Sequence, residues 1–91
     1  MPSYLIETHL ARGLPGERGS RERRARSAAE QLTREQTPVR FQHSIHIPED
    51  ELCFFVFDAP TPDVAAIAAE RAGLEPLRVV EALSSRDGEQ A

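Results

Sequence analysis

Residues 39–60 carry the densest hydrophobic patterning of the chain, in two runs joined by Pro48-Glu49-Asp50. The first run alternates. Val39, Phe41, His43, Ile45 and Ile47 fall on one side and Arg40, Gln42, Ser44 and His46 on the other, the period of a half-buried strand. The second run, Leu52-Cys53-Phe54-Phe55-Val56-Phe57, is apolar at every position and needs both of its faces covered. The pair is expected to form a hairpin whose second strand lies in the middle of a sheet.

The rest of the chain supplies the other elements. Residues 3–9 read as a strand with Tyr4, Ile6 and Thr8 on one face and Leu5, Glu7 and His9 on the other. Gly13, Pro15 and Gly16 break it, and Ser20 is placed to cap a helix over residues 21–35, with Ala25, Ala28, Ala29 and Leu32 as a narrow apolar stripe. Thr37-Pro38 closes that helix, because the residue before a proline avoids the helical region. A second helix is predicted over residues 62–72, with Thr61 as N-cap, Pro62 at the first position and Gly73 after the last turn; it should bury Val64, Ile67, Ala68 and Ala72. Residues 77–83 read as a last strand, and residues 84–91 as a polar, frayed tail on a single domain spanning 1–91 with its core at about 3–83.

The order strand, helix, strand, strand, helix, strand is the split βαβ pattern of ferredoxin-like α+β domains. It implies a four-stranded antiparallel sheet with both helices on one face, and it places residues 3–9 and 51–58, the two strands apolar on both faces, in the centre. The other face of the sheet is left bare. A chain of 91 residues buries a small fraction of its surface, so pairing of two sheets into a homodimer is the expected cover.

Composition narrows the chemistry. The net charge of −4 gives no global attraction to nucleic acid or to an anionic membrane. There is neither a bilayer-length apolar run nor the basic start of a signal peptide, so the expected location is cytoplasmic. Every basic residue is arginine, which removes Schiff-base and lysine acid/base mechanisms. No glycine-rich phosphate loop or GxSxG motif occurs. The arginines at 18, 21, 23, 24 and 26 are interrupted by Glu17, Glu22 and Glu30 and have no interleaved aromatics, the pattern of a solvated helix face.

His43-Ser44, the run Cys53-Phe54-Phe55-Val56-Phe57-Asp58-Ala59-Pro60, and residues 68–74 ending Arg71-Ala72-Gly73-Leu74 resemble a small domain-of-unknown-function family typified by a nickel-binding protein of similar length. The resemblance covers about residues 3–83. It implies a ferredoxin-like (dimeric α/β-barrel) fold, a homodimer and binding of nickel or another divalent transition metal. The chain departs from the pattern at Glu75-Pro76-Leu77 and at Phe41, where a tryptophan is usual.

The metal candidates are His43, Glu7, His9 and Cys53, since imidazole, carboxylate and thiolate suit nickel, zinc or copper. No HxH, HxxxH or CxxC spacing gathers them. His43 and His46, three apart, fall on opposite faces of a strand. His43 is preferred because it matches the family position and shares a side with Phe41 and Ile45; His46 reads as solvated. The competing readings are a core or interface histidine for His43, a plain buried thiol for Cys53, and an ion pair with Arg78 or Arg40 for Glu7. A second function is a cofactor-free enzyme of the dimeric α/β-barrel type, with Glu7 and His43 or His9 as acid/base pair and a small apolar metabolite in a pocket of Phe41, Phe55 and Phe57. A third is a structural or regulatory dimer with no site.

Overall fold

The computed structural model describes residues 1–83. Strand β1 (Ser3–His9) leads through a glycine-rich loop to helix α1 (Glu17–Arg34); β2 (Arg40–Ile47) and β3 (Leu52–Asp58) flank a short 3-10 turn (Pro48–Asp50); α2 (Pro62–Arg71) and β4 (Arg78–Ala82) follow. The sheet order is β2-β3-β1-β4, every pair antiparallel. This is the ferredoxin-like α+β arrangement, with β3 and β1 at its centre as expected. The tail at 84–91 lies outside the described residues.

The strand periodicity decides which side chains meet the helices. Tyr4, Ile6 and Thr8 of β1 pair with Phe57, Phe55 and Cys53 of β3, and all six are buried beneath α1 and α2. The helices meet them with alanine: Ala25, Ala28 and Ala29 from α1 and Ala65, Ala68 and Ala69 from α2. A methyl group holds a helix close to the sheet, so the phenylalanines supply most of the core volume and fully burying each contributes about 1.5–3 kcal/mol. Phe41 lies between Phe55 and Phe57, with ring centroids 6.2 and 5.4 Å away. Thr8, fully buried in this core, donates its hydroxyl to the Cys53 carbonyl at 2.7 Å.

Two helix details differ from expectation. Helix α1 starts a turn earlier than Ser20, after Gly16 in the left-handed region (φ 86°), and Ser20 instead accepts a hydrogen bond from Arg24 inside the helix. The early start adds a Glu17–Arg21 pair at 2.9 Å, and that guanidinium holds the Glu17 carboxyl below its ordinary value. In α2, Ile67 is exposed, and Ala65 and Ala69 take the buried stripe. The face that α2 turns to the core is thus mostly alanine, with Val64 partly buried at its edge. Thr61 caps α2 as expected, accepting the Val64 N–H, and Gly73 (φ 72°) follows it in the left-handed conformation. Among the described residues no helix is long and apolar enough to cross a membrane.

Candidate functional site

The face of the sheet away from the helices carries Leu5, Glu7 and His9 of β1, Leu52, Phe54 and Val56 of β3, and Arg78 and Val80 of β4, as the strand register requires. From β2 it receives His43, Ile45 and Ile47, paired with Val56, Phe54 and Leu52. Phe41 does not join them. The ladder steps from Phe41↔Phe57 directly to His43↔Val56, leaving Gln42 as the extra residue of a β-bulge. The uninterrupted alternation expected for this strand is therefore corrected: Phe41 faces the helices, while His43 shares the open face with Ile45.

Asp58 holds this bulge. Its carboxylate accepts from the Ser3 hydroxyl at 2.7 Å, from the Arg40 guanidinium at 2.7 Å and from the Gln42 amide, so one acid ties the start of β1 to the bulged end of β2. Burial raises the Asp58 pKa, but the three hydrogen bonds together outweigh it and the carboxyl lies below its ordinary value of 3.8. Beside this network the open face is concave, forming a cavity of about 690 Å³ lined by Leu5, Gln42, His43, Ile45, Val56 and Asp58, among others. The sequence reading missed Asp58. Its signal was an acid at the end of an otherwise apolar central strand.

A depressed carboxyl pKa contributes stability that is present above the unfolded value and is lost as pH falls through the folded one. The resistance of the wild type to urea should therefore fall on acidification below about pH 4. The Asp58→Asn variant should be less stable by about 1–3 kcal/mol near neutrality and lose less on acidification. Parallel pH profiles for the two proteins would show that Asp58 plays no such part.

The proposed ligands do not converge within one chain. Cys53 projects into the helix-side core, opposite Glu7, His9 and His43, because it pairs with Thr8 in the ladder. Burial also pushes its thiol above the ordinary value, against the lowering effects of Arg18 and Ser44, and a protonated thiol is a poor ligand. Glu7 is occupied by Arg78 at 3.4 Å, the ion pair considered from the sequence. His43 lies level with Leu5, with Val56 between them, so it is not a neighbour of Glu7. His9 is exposed at the far end of β1, opposite Leu52. Among the described residues, no three His, Cys, Asp or Glu side chains stand close enough to hold a metal ion. The acid/base pairing of Glu7 with His43 fails on the same geometry, and the pocket expected from Phe41, Phe55 and Phe57 is filled by those rings packing on one another. His46, expected in solvent, is half-buried on the helix side opposite Cys53, and its Nε2 is buried without a hydrogen-bond partner.

The class that this architecture defines is the ferredoxin-like α+β fold with one uncovered sheet face. No family model matches the chain, and no curated protein does. Among solved structures, the crystal structure of SCO4226 from Streptomyces coelicolor A3(2) matches 90% of this chain and 98% of its own, with a TM-score of 0.60 at 19% identity. That likeness is one of fold.

Proposed function

We propose that the protein is a small homodimer that closes its open sheet face with a second copy and binds a divalent transition metal, nickel or a close relative, at that face. The observation that carries the reading is the position of His43: the bulge places its imidazole exposed among apolar neighbours at the mouth of the concavity. The family resemblance of His43-Ser44 and of the β3 run supports it. Among the described residues of one chain no three such side chains come together, so in this reading the set is completed across the interface, where a second copy brings the same imidazole together with Glu7 or His9. Imidazole with carboxylate suits nickel, zinc or copper.

Calorimetric titration of untagged protein with nickel and with zinc tests the proposal; a polyhistidine tag would bind the same ions. Wild type should bind well below millimolar. The His43→Ala variant should bind at least about tenfold more weakly, since even groups behind a ligand contribute that much. Absence of sub-millimolar binding in wild type, or equal binding by the variant, overturns the metal assignment.

A further inference from the structure

A second concavity lies on the helix side of the sheet, away from His43. It has a volume of about 410 Å³ and is walled by Leu10, Ala11, Leu14 and Pro15, with Arg18 and His46 as the side chains that bring charge or imidazole to it. Its wall is fixed in place. Leu10 N–H donates to the Glu51 carbonyl at 2.8 Å, Arg12 N–H to the Glu51 carboxylate at 2.9 Å, and Arg12 Nε to the Pro48 carbonyl at 2.9 Å, which fastens the base of the loop to the 3-10 turn. Leu14 stands at the loop tip with 53% of its surface exposed, an apolar side chain beside the cavity that an occupant would cover.

The polar groups point to one chemistry. Arg18 donates through Nε and Nη2 to Ser44, at 2.9 and 3.2 Å, which holds its guanidinium in place and leaves Nη1 without a partner among the described residues. His46 lines the cavity as well, with its Nε2 buried and without a hydrogen bond among the described residues. No carboxylate lines the cavity. A preformed, largely apolar cavity with a few convergent polar groups is the usual form of a small-molecule site. We infer that this cavity binds a small organic acid, its apolar body against Leu10, Leu14 and Pro15 and its carboxylate taking a charge-assisted hydrogen bond from the Arg18 guanidinium.

The test is an amide-resolved NMR titration of the full chain with benzoate and with benzamide, its neutral counterpart of the same shape. Benzoate should give saturable shifts confined to residues 10–18 and to His46, and benzamide should bind at least about tenfold more weakly, a charge-assisted hydrogen bond being worth more than a neutral one. The Arg18→Gln variant should weaken benzoate binding. Should that substitution disturb the fold, Leu14→Asp, at an exposed position, should abolish binding while the spectrum of the free protein is preserved. Equal binding of the two probes, shifts centred on the open sheet face, or no saturable shift with either probe overturns the inference.

Discussion

Replacing Phe55 with alanine is expected to remove about 3–5 kcal/mol of folding stability, the cost of deleting a fully enclosed aromatic ring from a core that cannot collapse around the hole. Phe55 is fully buried in the centre of β3, flanked in the ladder by Ile6 and Ser44, with the Phe41 ring beside it. Most of the buried side chains that the helices bring are alanines, too short to swing into the space, with Leu32 of α1 the one longer side chain that α1 buries among the described residues. Domains of ordinary size have about 5–15 kcal/mol to lose and small ones lie toward the low end, so this single change should leave a large unfolded fraction at ambient temperature. Urea unfolding followed by circular dichroism measures it. A loss under about 1 kcal/mol would mean that the core repacks, contrary to the close alanine contact described above.

The neighbouring residue should behave in the opposite way. Phe54→Asp is expected to leave the chain folded and to convert a dimer into a monomer, because Phe54 projects from the same strand onto the open face, half-exposed between Glu7 and Ile45. In a single chain the new carboxylate remains hydrated. In a closed sheet-to-sheet interface it would lose that water without a partner, at several kcal/mol per ion, and every dimer would contain two of them. Sedimentation of wild type, Phe54→Leu and Phe54→Asp at the same concentration checks this, with circular dichroism as the folding control. A wild type that sediments as a monomer, or an aspartate variant that stays dimeric, would remove the sheet face as the pairing surface. The same variant should also lose metal binding if the ligand set is completed across that interface.

The element order was legible because its signals are local: alternation in β1, the unbroken apolar run of β3, and Thr61-Pro62 before α2. The separation of Cys53 from Glu7 follows from parity once the β1–β3 register is known, since Cys53 pairs with Thr8. Other features depended on contacts distant in sequence. Nothing between Val39 and Ile47 marks the bulge, because polar and apolar residues alternate straight through it; the groups that hold it are Ser3 and Asp58, which belong to other strands. The rotation of α2 about its axis was misjudged for a related reason. Hydrophobicity favours Ile67 over Ala65, whereas the face that α2 turns to the core carries Ala65, Ala68 and Ala69 and leaves Ile67 outside. The role of Asp58 likewise depends on donors from elsewhere in the chain, Ser3, Arg40 and Gln42.

Gln42 also changes what a deletion in this strand would mean. Removing one residue from the middle of a β-strand ordinarily inverts everything beyond it, but here the ladder already passes over Gln42, from Phe41 to His43. A chain shortened at that position would run as a regular strand with Phe41 still inward and His43 still outward. The inverted arrangement, with the imidazole under the helices and Ser44 and His46 outside, belongs to the full-length strand drawn straight. The reading frame of the open face is thus set by one residue that the ladder passes over, and a strand one residue shorter would present the same alternation.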